Sequence, residues 1–336
     1  MKRNYKYLLG LFPALIVIGG NFFGGWWVAS NVVFSLFFLA LLEIFVPENK
    51  SNDTDENVLL PELILHLHVL MQMVVIASLA YSLNKFNYNL AQLVLLSLSV
   101  GINTGGSSIV IAHELIHRKN QWYQLMGKFL LLTACNLYFF VDHLRIHHKW
   151  VGTSKDHATA RYGENVYSFF VRSVLGQMKG SWKLETERLR DKWLLKQIFG
   201  NYITGSFIMI ILLSAAFYLM TGIVGVFVFL LQAFFANFLL EYTNYIEHYG
   251  LSRKENERVN ELHSWQSDKV ISRYFLIDLS RHADHHYYAS KPYHTLKSYE
   301  KAPVLPGGYV QMIYYALIPP LWFSAVDPII KRINKF

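Results

Sequence analysis

Nine of the 14 histidines in this chain fall into four tight groups. The first is HELIH, with His113 and His117. The second is DHLRIHHKW, with His143, His147 and His148. The third is His248 in NYIEHYGL, and the fourth is RHADHHYY, with His282, His285 and His286. On a helix, residues i and i+4 share one face, so His113 and His117 can present both imidazoles to one centre. HELIH alone matches the HExxH pattern of a zinc metalloprotease helix. A zinc site, however, uses only about three or four ligands. Nine imidazoles suit two metals of borderline character, each with several nitrogens and an open position. The chain has one cysteine, Cys135. That excludes a disulfide framework, a zinc ribbon, an iron–sulfur cluster and a four-cysteine rubredoxin-type site within it. Oxygen activation at two irons is the economical use of such a histidine set in an apolar setting.

The elements that must position these histidines are apolar helices. The chain of 336 residues is 53% hydrophobic and 16% charged, against about a quarter charged in an ordinary soluble domain. Its mean hydropathy is +0.24. A net charge of +8 on so apolar a chain fits a Lys/Arg-rich cytoplasmic membrane face and not a nucleic-acid partner. There is no repeat and no low-complexity tract. MKRNYK and the apolar run after it read as a retained first helix, because NFFGGWW is a poor signal cleavage site.

A spanning helix needs about 20 largely apolar residues. Six stretches qualify: Tyr7 to Phe23, Trp26 to Val46, Val58 to Leu83, Tyr88 to Ala112, Tyr202 to Thr221 and Gly222 to Tyr245. They pair into three hairpins, with tight turns at NFFGG and TGIVG. The expected fold is an all-α integral membrane protein of six transmembrane helices, with a cytoplasmic helical cap that carries a dinuclear metal site. The chain reads as one membrane domain, 1–336. Four spans lie in 7–112, a cytoplasmic segment with the first two histidine groups in 113–201, two spans in 202–245, and a second cytoplasmic segment in 246–336. Both termini are then cytoplasmic, and all of the 31 lysines and arginines except Lys85 fall inside, as the positive-inside rule requires. Tyr123 to Val141 and Tyr309 to Ala325 are expected as helices near the membrane surface, the second broken at Pro319 and Pro320.

The order HxxxH, HxxxHH, HxxHH resembles the superfamily of membrane fatty-acid desaturases, sterol and carotenoid hydroxylases, and alkane or xylene monooxygenases. NYIEHYGL is similar to the signature of its alkane 1-monooxygenase and xylene monooxygenase branch. LSRHADHHYYASKPYHTL and LPGGYVQMIYYALIPPLW also look like that branch. The resemblance implies that His113, His117, His143, His147, His148, His248, His282, His285 and His286 bind two non-haem irons without a bridging thiolate. Which of them serves which iron stays open at this point. The chain departs from the family pattern at Asp142 and Ile146, where Glu and Gly are usual, and at His157, which replaces a proline after the matching Asp156.

The implied reaction inserts one oxygen atom from dioxygen into the terminal C–H bond of a medium-chain n-alkane, giving a primary alcohol. The alternatives are methyl hydroxylation of xylenes or other alkyl-aromatics, and desaturation or hydroxylation of acyl lipids. A His-lined metal transporter fits poorly, because the histidines cluster at one face. Electrons must come from a partner, since the chain carries no flavin or iron–sulfur motif. The resemblance implies rubredoxin, or a ferredoxin-type donor, with its reductase. Arg118, Lys119, Arg145, Lys149 and Arg161 either attract that acidic carrier or serve as positive-inside anchors. The implied location is a bacterial-type inner membrane, with the active site on the cytoplasmic side.

Glu114, Asp142, Asp156, Glu247 and Asp284 are candidates for the carboxylates that orient ligand imidazoles through their second ring nitrogen; each could equally pair with a local Arg or Lys. His66 and His68 lie within the third span, where a hydrogen-bonded helix contact is the leading expectation. His157, His263 and His294 read as groups outside the metal set. Gly101, Gly105 and Gly106 in the fourth span either allow close helix packing or leave room for a linear substrate.

Overall fold

The computed structural model describes residues 3–334, and the expectations for the chain ends at 1–2 and 335–336 lie outside them. Every regular element among the described residues is helical, with only two isolated bridge pairs of extended backbone. Five helices are long and apolar enough to cross a membrane. We label them α1 (Arg3–Phe23), α2 (Gly25–Phe45), α3 (Leu59–Lys85), α4 (Leu90–Ile116) and α9 (Tyr202–His248). At 47 residues, α9 would run for about 70 Å if straight, more than twice the roughly 30 Å of a bilayer core. It bends at Gly222, whose φ of 69° lies in the left-handed region open to glycine. The stacked rings of Phe217 and Phe229, 4.5 Å apart, face each other across the bend. The two arms make six long apolar helices, in agreement with the expected turn at TGIVG.

The turn at NFFGG is also present. Gly24 has φ 68°, and a Cβ there would lie 2.5 Å from the Phe86 ring. Between α1 and α2 on one side and α9 on the other, α4 forms the centre of the bundle. A Cβ on Gly101 would stand 2.7 Å from the carbonyl oxygen of Gln232, and one on Gly105 2.9 Å from that of Ala236. These two glycines therefore serve close packing of α4 on α9. His68 in α3 approaches the Ser107 hydroxyl of α4 through Nδ1 at 2.8 Å. Gln72, one turn on, donates to Thr104 and Thr133. This polar seam makes His68 a helix–helix contact, while His66 stays exposed and approaches the Glu62 carbonyl.

The rest of the chain forms a cap. It comprises α5 (Gln121–Thr133), α6 (139–150), α7 (Val166–Arg188), α8 (Leu194–Phe199), α10 (Val270–Phe275), α11 (His282–Tyr287), α12 (Tyr309–Leu317) and α13 (Pro319–Asn334). The expected Tyr123–Val141 helix is split: a left-handed Cys135, φ 53°, separates α5 from α6. The prolines act as expected, and the chain bends by 118° between α12 and α13. Pro319 opens the new helix, where its missing N–H costs nothing.

Two buried ionic contacts tie cap to spans. Glu43, near the C-terminal end of α2, accepts from the backbone N–H groups of Ser272 (3.1 Å) and Gln311 (2.7 Å). Asp278 pairs with Arg3 of α1 and Arg273 of α10, both at 2.6 Å. Arg281, immediately before α11, is fully buried and donates to the carbonyls of Ser51 and Leu296. These contacts fix the last histidine group against the membrane helices. Removing one partner of such a buried pair costs about 3–5 kcal/mol. Asp278→Asn keeps the shape and tolerates the positive φ of 58°, so a loss of that order in thermal or denaturant unfolding in detergent would isolate the charge. A variant as stable as wild type would show that the cluster holds nothing.

Candidate metal centre

The nine clustered histidines, scattered over 174 residues from His113 to His286, come together in two groups. In each group the ring nitrogens lie within 4.8 Å of one another. The larger group is His113, His117, His143, His148 and His285; the smaller is His147, His248, His282 and His286. The division open in the sequence is therefore five and four.

Local helix geometry explains it. His113 and His117 close α4 at α-helical spacing and join the same group. His282 and His286 in α11 have the same spacing and join the other. Residues 143–147 instead form a turn of π-helix, in which the N–H of His148 bonds to the carbonyl of His143. A π-turn aligns i with i+5 rather than i+4. His148 thereby faces the same way as His143, and His147 is turned to the smaller group. In α11, likewise, His285 points to the larger group and His286 to the smaller one.

Within the larger group the Nε2 atoms of His117, His143 and His148 lie 2.9–3.1 Å apart, and that of His285 is 3.1 Å from His148. In the smaller group His147 and His286 approach to 3.1 Å, and His248 and His282 to 3.2 Å. Neutral imidazoles carry one proton each, so a knot of converging nitrogens cannot satisfy itself by hydrogen bonding. Nε2 of His113 is buried with no partner at all. Nitrogens about 2.1 Å from a common cation and at right angles to one another would be about 3.0 Å apart. The donor set and its spacing fit a metal ion in each group.

The electrostatics agree. His143, His148, His282, His285 and His286 are held well below the ordinary imidazole value, first by burial and then by neighbouring imidazoles. His117 is lowered to about 3 for the same reasons. All six are thus neutral, the form that binds metals.

The carboxylates divide. Asp156 Oδ2 accepts from Nδ1 of His147 at 3.0 Å and from Thr159 at 2.6 Å. Burial pushes this carboxyl up, but His147 and Thr159 outweigh it and hold it below the usual range. Asp156 therefore orients an imidazole, as expected of a group behind the metal. Glu247 does not approach an outer nitrogen. Its Oε2 lies 3.2 Å from Nε2 of His282, on the inner side, and its Oε1 accepts from the Tyr309 hydroxyl at 2.9 Å. Asp284 is taken up by Lys291, the Lys297 N–H and Tyr299, and Glu114 by Arg118 at 2.7 Å. Asp142 is buried with Oδ1 unpartnered; burial first, then Asp156 and Glu241, push it well above the usual range. Tyr309 was missed as a site residue, because the chain does not show that α12 returns under the metal groups. His157, His263 and His294 belong to neither group.

An apolar cavity leads to this centre. Its outer part, about 100 Å³, is walled by α1, α2, α4, α9, α10 and α12. An inner part of about 30 Å³ is lined by His113, His143, His282 and Glu247. Gly105, Val110, Thr243 and Leu279 line both, so the two parts adjoin and the inner one borders both histidine groups.

Residues 89–316 match the fatty acid desaturase family, and the chain is a member of it. More closely, it is 41% identical over 241 residues to alkane 1-monooxygenase 1 of Pseudomonas aeruginosa, covering 70% of this chain and 63% of that protein's length. It is 36% identical to alkane 1-monooxygenase 2 of Alcanivorax borkumensis, over 84% of this chain and 76% of the relative. With alkane 1-monooxygenase of Acinetobacter baylyi it shares 30% identity, over 96% of this chain and 84% of the relative. Within the desaturase family the chain therefore belongs to the alkane 1-monooxygenases. Together with its long apolar helices, this makes it an integral membrane protein.

Two outcomes follow for the site. Asp156→Asn removes the acceptor behind His147 and should lower metal affinity by about 10–100-fold, read by chelator competition; unchanged retention would remove the orienting role. The neutral imidazoles bind protons near their ordinary value of about 6.5 only once the chain unfolds. The unfolded state then holds more protons below that pH, and stability present above it is lost as pH falls. The metal-free protein should therefore melt at progressively lower temperature as pH drops through about 6.5. A flat profile there would contradict the depressed imidazoles.

Proposed function

We propose that the protein is a terminal alkane hydroxylase: a di-iron monooxygenase that converts a medium-chain n-alkane to the primary alcohol. The reading rests on one observation above the rest: His113 and His143 of one imidazole group and His282 of the other line the inner part of an apolar cavity within the helix bundle. Support also comes from the alkane 1-monooxygenases to which the chain is related. His113, His117, His143, His148 and His285 would hold one iron, and His147, His248, His282 and His286 the other. Bound there, the irons supply the activation of dioxygen and the insertion of one of its atoms.

The remaining work falls to the chain. An alkane offers no polar handle, so shape and apolar surface must hold it. Val110 and Leu279, which line both parts of the cavity, aim the terminal methyl at the gap between His113 and His282. Fixing that end against the reacting centre is an entropic contribution to rate. The dry lining keeps water from competing for the oxidant. Tyr309 holds the Glu247 carboxylate beside His282.

Electrons come from outside, and rubredoxin with its reductase is the proposed source, docking on the cytoplasmic face of a bacterial-type inner membrane. Of the nine imidazoles only His117 and His148 are half-buried rather than buried. Both belong to the larger group and stand beside the exposed Lys119 and Lys149, which suits an acidic carrier.

The test is metal analysis of detergent-purified protein together with product analysis from octane, dioxygen, rubredoxin and reductase. About two irons per chain and 1-octanol are expected. Two irons with no octanol would move the substrate elsewhere, and one zinc or no metal would end the di-iron reading.

A further inference from the structure

The outer cavity is not closed on every side. Gly106 in α4, Leu36 in α2 and Pro13 in α1 line it and are each half-buried, so they sit where it opens sideways between the helices. Of the three clustered glycines of α4, only Gly106 has no atom within 4 Å of a Cβ built on it. Gly101 and Gly105, by contrast, meet α9 below 3 Å. Packing accounts for those two and leaves Gly106 unexplained.

Two of the three helices that border the opening form turns of π-helix there. Residues Val33–Phe38 in α2 and Thr104–Ser108 in α4 adopt it, and each turn contributes lining residues: Ser35 and Leu36 from one, Gly105 and Gly106 from the other. A π-turn widens the helix and sets its side chains off their α-helical stripe. Seven residues separate Gly106 from His113, about 10 Å along the helix axis. The opening thus lies well short of a long alkyl chain's full length.

We propose that Gly106 keeps a lateral window open to the bilayer, through which the tail of a substrate too long for the cavity remains in the lipid. The proposal rests on the alkane reading for the identity of the chain, but the window itself does not. Its consequence is that the upper limit of chain length is not set by cavity depth. A substrate end reaches the metal groups while the far end stays solvated by acyl chains, at no cost in buried apolar surface. A Cβ at position 106 would stand in the window without striking the protein, and a longer side chain there would turn an open cavity into one of fixed length.

The experiment compares wild type, Gly106→Ala and Gly106→Leu on two fronts. The first is the ratio of hexadecane to octane product in competition, with iron content recorded for each variant. The second needs no turnover: photolabelling by a hexadecane analogue with a mid-chain diazirine, mapped by peptide mass spectrometry. Gly106→Leu should lower the product ratio about tenfold or more, the scale of a few methylenes in an apolar pocket, with a smaller fall for Gly106→Ala. Labelling of Leu36 and Val110 in wild type should drop in Gly106→Leu. An unchanged ratio with unchanged labelling in an iron-replete Gly106→Leu protein overturns the window. If that variant loses its iron, an unchanged ratio and labelling in Gly106→Ala do the same. A wild-type protein that oxidises neither alkane, yet loses its Leu36 label on Gly106→Leu, keeps the window and refutes the alkane reading.

Discussion

The constraint on which this structure depends is the convergence of nine imidazoles, seven of them buried, with their lone pairs pointing inward. Taking one polar nitrogen out of water without a partner is unfavourable; here whole groups of them meet at about 3 Å. Such an arrangement cannot hold itself together, so it must be imposed from outside. The imposing parts are α4, the arm of α9 that follows Gly222, and the cap held down by Glu43 and by the Asp278 cluster. Binding of metal then returns the free energy the scaffold spent in gathering the nitrogens, as it does wherever ligands are organised by a fold.

The cap shows how strongly that demand is met. Arg273, Arg281 and Asp278 are all buried beside α11, although charges in such places are costly unless paired. Ile277 and Asp278 also carry positive φ angles, unusual for residues with side chains. Ile277, Asp278 and Arg281 all lie within five residues of His282. The strained corner and the ion cluster together deliver α11 at an angle from which adjacent histidines reach different groups.

Much of this was legible in the chain. The long apolar runs, the turns at Gly24 and Gly222, and the break at Pro319 follow from hydropathy and from two residue types with narrow backbone preferences. The grouping of nine histidines followed from spacing and from resemblance. The division into five and four did not, because spacing suggests that His143 pairs with His147. The π-turn reverses that pairing, and no residue in HLRIH announces one. The carboxylates were legible only as a set: Asp156 approaches an imidazole from behind, whereas Asp284, equally adjacent to a histidine, is spent on Lys291 and Tyr299. The choice depends on which loops return to the site, a long-range matter that adjacency cannot decide. The three glycines of α4 looked alike in sequence, and their different roles depend on which side of the helix meets α9.

The π-turn has one more consequence. His147 and His148 are neighbours in the chain but serve different groups, and so are His285 and His286. Consecutive Cα atoms are about 3.8 Å apart whatever the side chains do. The separation of the two imidazole groups is therefore limited by a single peptide unit at two separate places. Moving one group away from the other would strain the chain at both places.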